Sequence, residues 1–432
     1  MKFLIENWGP IEKAEIDFPK PLIILTGPNG TGKTYMSYLI YGLVASFGFF
    51  PYLMMKKGNG QIIMKIFSAD KIEKGKTVEV ELPPSQLFQL FGDILSNKCR
   101  ELVKFLNVDI SFKKFKISIL TTEEEWSDRL YQAELSMSSR DMKIKKPHNS
   151  YKCSITHWSN SQSDVCMDLS SFMHYIFFEG INSPYMFTAE RTGVYTFSKE
   201  LSLGRLRYPE NAGRYPMPIS DSLANAEDLA KSKEKMSEYA YLADEIEKDI
   251  LRGKMFITDD GDIQYSFGKK KIPYNVASSL VKTLSPVIFY LRHKANYNTL
   301  LMIDEPEINL HPDNQILLAR VFARMINAGL HLMIATHSDY IIRELNNLIM
   351  YNNVSKKKKG RMSEMGYDIK MALDQNQVGA YLFCKKGIRK VTVEALPIRD
   401  SGFEVSTIDD AISRLNKASE ILYYSMKYGD DE

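Results

Sequence analysis

The chain has 432 residues, 44% hydrophobic and 25% charged, with a formal net charge of +3. At ~150 residues per domain this makes two to three structural units able to bury a core, and the composition excludes a mainly disordered, fibrous or disulfide-stapled chain. The small net charge gives no global argument for nucleic acid, and Cys99, Cys153, Cys166 and Cys384 form neither a C-x-x-C pair nor a set with His at zinc spacing, so reduced thiols in a cytoplasmic protein are expected.

The opening residues, MKFLIENWGPIEKAEIDF, lack the apolar run of a signal peptide, which argues against export. They read as strands Lys2–Asn7 and Ala14–Asp17 around a Gly9-Pro10 turn, followed by a fully apolar strand Leu22–Leu25. Thr34 to Met55 carries no charge and has the length of a membrane span, but it starts inside a Gly-rich loop and holds Gly42, Gly48 and Pro51, so a buried core helix is expected. Residues 50–185 are irregular, with strands at Thr77–Leu82 and Phe115–Leu120, and read as a long inserted lobe. Ser222 to Arg252 has no Gly or Pro and reads as one long charged helix without a heptad, hence a short helical arm or lid rather than a coiled coil. A hairpin, Met255–Thr258 and Ile263–Phe267, follows. A helix Ala277–Leu291 leads to strand Thr299–Ile303, helix Gln315–Asn327, strand Leu330–Ala335 and a helix from Ser338, the pattern of an α/β core with a parallel sheet. The tail reads as a small α/β appendage with a final helix, Ile408–Tyr424.

Gly27-Pro28-Asn29-Gly30-Thr31-Gly32-Lys33-Thr34 fits G-x-x-x-x-G-K-[ST] between an apolar strand and a helix. In such a loop Asn29, Gly30, Thr31 and Gly32 wrap phosphates with backbone N–H groups, Lys33 adds a point charge, and Thr34 offers a hydroxyl to Mg²⁺. Leu300–Ile303 is an apolar strand ending in Asp304 and Glu305, fitted respectively to orient a metal and to activate water as a base. Thr336-His337-Ser338 ends the next apolar strand and puts a histidine at the same sheet edge, where His337 reads as a γ-phosphate sensor.

Together these motifs resemble the ABC-type ATPase heads of the SMC, RecF and OLD families over about residues 1–48 and 270–345, and IDEPEINLHP, with Asn309 and His311, is similar to the OLD-like catalytic strand and D-loop. The resemblance implies ATP and Mg²⁺ as cofactors and two heads clamping two nucleotides, each site completed by a serine loop of the other chain. Ser278, with Ser279 beside it, aligns with the family serine, although Leu280 stands where glycine is usual and Val281 where Gln or Glu is common; a plain serine N-cap is the alternative. Gln61 is a candidate by position for the lobe-joining glutamine. Phe187–Gly193, FTAERTG, resembles the PtuA- or AriA-type ATPases of bacterial antiphage systems, although Glu190 and Arg191 would also suit a simple mutual pair. A Toprim nuclease needs a strand-borne Glu and a later D-x-D strand; Glu394 imitates the first and nothing supplies the second.

The expected architecture is an α/β, ABC-type P-loop ATPase head (1–50 and 270–345) with a long inserted α+β lobe (51–221), a helical arm and hairpin (222–269) and a C-terminal α/β appendage (346–432). The expected function is ATP hydrolysis in a homodimer or higher homo-oligomer that holds or releases a separate effector, a nuclease or toxin, in antiphage defence; the alternative is a RecF- or SMC-like DNA-repair ATPase. Lys143–Lys146, Lys269–Lys271 and Lys356–Lys359 read as solvated loops, or as phosphate contacts if DNA or RNA binds. No membrane association is expected.

Overall fold

The computed structural model describes residues 1–47, 77–82, 84–108, 114–132, 138–139, 142–145, 151–156, 174, 177–198, 200–201, 215–228, 235–258, 261–297, 299–387 and 390–429. In chain order the strands are β1 (Lys2–Trp8), β2 (Ile11–Asp17), β3 (Leu22–Thr26), β4 (Thr77–Leu82), β5 (Lys116–Ile119), β6 (Ser138–Ser139), β7 (Met142–Lys145), β8 (Tyr151–Thr156), β9 (Ser183–Phe187), β10 (Lys254–Ile257), β11 (Ile263–Phe267), β12 (Lys270–Pro273), β13 (Thr299–Asp304), β14 (His331–Thr336), β15 (Val378–Lys386) and β16 (Lys390–Leu396). The α-helices are α1 (Lys33–Phe47), α2 (Pro84–Leu106), α3 (Glu123–Gln132), α4 (Arg191–Thr196), α5 (Met217–Glu227), α6 (Ala240–Glu245), α7 (Ser279–His293), α8 (Pro312–Asn327), α9 (Asp339–Asn353), α10 (Lys356–Ser363) and α11 (Ser406–Tyr428).

Nine strands form one mixed sheet in the order β5-β1-β2-β16-β15-β3-β14-β13-β9. Its central part is parallel: β15, β3, β14, β13 and β9 run the same way. β3 and β13 are buried throughout, and β14 at every position after His331, because helices cover both faces, which is why they read as apolar runs. Alternate residues feed two cores: Ile23, Leu25, Met302 and Met333 join α1, α2 and Phe177 on one face, while Leu22, Ile24, Ile303 and Ile334 join α7, α8 and α9 on the other. β1 and β2 alternate buried and exposed positions instead, and the Trp8 indole N–H, 2.6 Å from the Tyr35 carbonyl oxygen, ties their turn to α1.

Several expectations change. The sheet is mixed because β1 pairs antiparallel with both β2 and β5, and β15 pairs antiparallel with β16. The expected C-terminal appendage supplies β15, directly beside β3, and β16, while the expected inserted lobe supplies β5 and β9 to the same sheet. These segments build the core rather than hang from it.

The single helix expected over Ser222–Arg252 is interrupted. α5 ends at Glu227, and α6 begins at Ala240 and continues as a wider π-turn, Ile246–Leu251. Between them the Ser237 N–H donates to the Arg292 carbonyl at 2.8 Å and its hydroxyl to the Leu291 carbonyl, so this backbone is tied to the end of α7 instead of to its own helix. Leu242, Ala243, Ile246 and Ile250 are buried in the second core and do not stand out as an arm. Arg292 reinforces the attachment with ion pairs to Asp244 (2.8 Å) and Glu247 (2.9 Å).

α2 is unannounced in the irregular stretch, yet its Phe91, Leu95, Leu102 and Leu106 pack on one core. The final helix is longer than expected, and none of its residues is buried. Among the described residues no helix is long and apolar enough to cross a membrane, and the described part of Thr34–Met55 is α1, whose Leu39, Ile40 and Leu43 are core. Gln61 lies outside the described residues.

Candidate functional site

β3, β14 and β13 are parallel neighbours in a register that aligns Thr26 with Thr336 and Asp304 with Ala335. Their carboxyl ends therefore deliver the loop 27–32, His337 and the acids Asp304 and Glu305 to one edge of the sheet, where open α/β sheets place their ligands.

The loop is shaped by close approach. Gly27 has φ +133°, and a Cβ there would lie 2.6 Å from the Phe383 carbonyl oxygen on β15. Thr31 is buried, and its hydroxyl donates to the Pro28 carbonyl at 2.8 Å; Asn29 and Gly30 are exposed. The Lys33 ammonium, 6% exposed, donates to the carbonyls of Gly27 and Pro28 at 3.0 Å each. Burial pushes its pKa down to about 8 against the pull of Asp304, Glu305 and Glu307, so it remains mostly charged at neutral pH.

At the second residue of α1, the Thr34 hydroxyl donates to Asp304 Oδ2 at 2.7 Å. Burial pushes Asp304 up to about 6; Glu305 and Glu190 add to this, while the Thr34 hydrogen bond and Lys33 oppose it. A buried carboxylate beside a hydroxyl at the mouth of a phosphate-type loop suits a hard divalent cation whose other ligands are phosphate oxygens and water. Among the described residues no group of three or more His, Cys, Asp or Glu is arranged to hold a metal without such help.

Glu305 follows in a left-handed conformation, φ +49°, and its N–H extends the ladder by one bond to the Ala335 carbonyl at 2.8 Å. His337 Nε2 stands 3.9 Å from Glu305 Oε1. Burial and Lys33 push the His337 pKa down to about 4, so the ring is neutral at pH 7 and the two do not form an ion pair. Asn309, φ +61°, reaches from the turn after Glu305 to the Thr283 hydroxyl on α7 at 3.2 Å, and His311 caps α8.

Two further side chains, absent from the expected site residues, build this edge. Glu307 accepts from the Thr336 hydroxyl at 2.8 Å and from the His337 N–H at 2.6 Å, tying the acid turn to the end of β14. Arg191 is 1% exposed and does not pair with Glu190. Its guanidinium donates to the carbonyls of Asp304 (2.8 Å), Glu305 (2.9 Å) and Thr188 (3.3 Å). The FTAERTG segment was the available sequence signal for Arg191; for Glu307 there was only its place two residues after Glu305. Ser278 is exposed and caps α7, accepting from the Val281 N–H at 3.4 Å, and Ser279 opens that helix. The capping role weighed for Ser278 is thus what a single chain displays.

The profile of the family described as AAA ATPase domain matches residues 93–342, more than half of the chain. The chain belongs to that family. The matched span includes the acid pair and His337, and the phosphate loop lies ahead of it. With that loop, the acids and the histidine on adjacent parallel strands, this ATPase has an α/β fold built on a mixed sheet. None of the curated proteins matches it in sequence. Among solved structures it is similar to an SMC head bound to the C-winged helix domain of ScpA, with 10% identity over 92% of this chain and 98% of that one at a TM-score of 0.38. It is also similar to the SMC head domain from Thermotoga maritima, with 10% identity, the same coverages and a TM-score of 0.34. A third is the Smc head with an extended coiled coil bound to the C-terminal domain of ScpA derived from Pyrococcus furiosus, with 13% identity over 97% and 98% and a TM-score of 0.38. These superpositions are loose, and no residue of this ATPase takes a role from them.

Proposed function

We propose that ATP binds with its phosphates in the 27–32 loop, with Lys33 on the terminal phosphates and Mg²⁺ held by Thr34 and Asp304. Bound there, the cation neutralises phosphate charge. Glu305 takes the proton of the attacking water, and neutral His337, 3.9 Å away, contacts the γ-phosphate. The observation that carries this reading is the 2.7 Å bond between Thr34 and Asp304, which brings the loop and the acid strand into one site although they lie far apart in sequence.

In the same proposal two copies pair head to head, with the exposed Ser278 and Ser279 offered to the partner's nucleotide, and the pairing holds or releases another protein. The first reading of that use is a RecF- or SMC-like head acting on DNA. Lys269, Lys270 and Lys271 are exposed around the β11–β12 turn and are the candidate phosphate contacts. Control of a nuclease or toxin in antiphage defence is the second reading. It rests on FTAERTG, whose arginine also serves the fold of this chain. The assembly is tested by mass measurement with saturating ATP: Glu305→Gln should form a dimer, and adding Ser278→Arg should abolish it while one head still binds nucleotide. Equal dimerisation of both proteins refutes the composite site.

A further inference from the structure

Arg191 is a buried cation whose hydrogen bonds go to backbone carbonyls. Nη1 and Nη2 take the consecutive carbonyls of Asp304 and Glu305, and Nη1 also reaches Thr188 O. Those two carbonyls flank the left-handed φ of Glu305, +49°, which an L-residue adopts only at a cost of about 1 kcal/mol or more. The planar fork therefore clamps the peptide on either side of the strained position. A second anchor lies opposite, where the Glu305 N–H meets the Ala335 carbonyl at 2.8 Å. A buried guanidinium is expensive to desolvate, and a cap for two carbonyls does not by itself need a charge there. The acids Asp304, Glu307 and Glu305 supply the surrounding negative field.

We propose that Arg191 is a positioning residue for hydrolysis: by holding the Asp304 and Glu305 carbonyls it fixes the left-handed turn at Glu305, and with it the direction of the Glu305 carboxylate, without touching nucleotide. The proposal rests on Glu305 being the base. A lysine at 191 keeps the charge but cannot span both carbonyls with a fixed fork, so the turn loosens while the loop 27–34 is untouched. Misplacement of a catalytic group by about 1 Å costs up to ~10²-fold in rate.

The test is a double-mutant cycle in the full-length protein, with ATP turnover and titration with a fluorescent ATP analogue read side by side. Arg191→Lys should lower kcat by about 10-fold or more, with KM and analogue affinity within about twofold of wild type. Placed on Glu305→Gln, it should lower the residual rate by less than about twofold, because the group it positions is already gone. Arg191→Gln, neutral and cheaper to bury, gives the same readout where Arg191→Lys fails to fold. A kcat within twofold of wild type, an equal fall in both backgrounds, or loss of analogue binding together with kcat overturns the positioning role. Wild-type turnover in Glu305→Gln refutes the base assignment and this proposal with it, whereas a slow Glu305→Gln beside an unslowed Arg191→Lys refutes the positioning role alone.

Discussion

Gly27→Ala tests whether the phosphate loop is moulded against the C-terminal strand β15. Gly27 has φ +133°, and its added Cβ would meet the Phe383 carbonyl oxygen at 2.6 Å and the Phe383 Cβ at 3.1 Å. Phe383 is fully buried in a strand hydrogen-bonded to β3, so the obstacle is backbone and cannot swing aside. Gly30, three residues on, is the control: its φ is +70° but no atom lies within 4 Å of an added Cβ. Alanine at Gly30 carries only the left-handed penalty, about 1–2 kcal/mol. At Gly27 a comparable strain is joined by a forced displacement of packed backbone, roughly another 1–3 kcal/mol. Urea unfolding of both variants without nucleotide should show Gly27→Ala less stable than Gly30→Ala by about that additional amount. Equal stabilities would mean that β15 does not constrain the loop.

Two further outcomes are expected. Burial holds His174, His331 and His337 near a pKa of about 4 against an ordinary 6.5, so the unfolded chain binds more protons as pH falls from about 6.5 to 4 and each histidine withdraws stability there, at up to about 1.4 kcal/mol per pH unit. Asp304 and Glu307, pushed up by burial, act with the opposite sign. His331→Gln should therefore make the melting temperature less sensitive to acid in that window, and an unchanged slope contradicts the assignment. The purified protein with ATP and Mg²⁺ or Mn²⁺ should leave DNA and RNA intact. Glu394 sits exposed on β16 between β15 and β2, and the described residues assemble no metal-binding acid cluster around it. Cleavage that disappears in Glu394→Ala with ATP turnover retained would establish a nuclease in this chain.

The β-α-β-α series was legible because β13 and β14 are apolar on both faces and each is followed by an amphipathic helix opening on a capping residue, His311 and Ser338. The place of β15 and β16 was not. Strand order is a property of tertiary packing, and nothing local in Val378–Lys386 says that it lies against β3. The break before α6 was hidden for a related reason: residues 228–239 lack Gly and Pro, and it is the long-range bond of Ser237 to Arg292 that overrides helix propensity. At the site, loop spelling and the acid pair identified Lys33, Thr34, Asp304 and Glu305 as candidates. Arg191 stood out in the FTAERTG segment, where adjacency to Glu190 left a mutual pair open as one reading; the guanidinium instead reaches carbonyls 113 and 114 residues away.

Glu305→Gln tests the central claim most directly. The change keeps size and the backbone bonds to Ala335 and Arg191 while removing the basic oxygen. ATP affinity should stay within about threefold of wild type while kcat falls by ~10²-fold or more, whereas Lys33→Ala should weaken both. Turnover near wild type in Glu305→Gln, with nucleotide bound normally, would remove the base from this site and contradict the account.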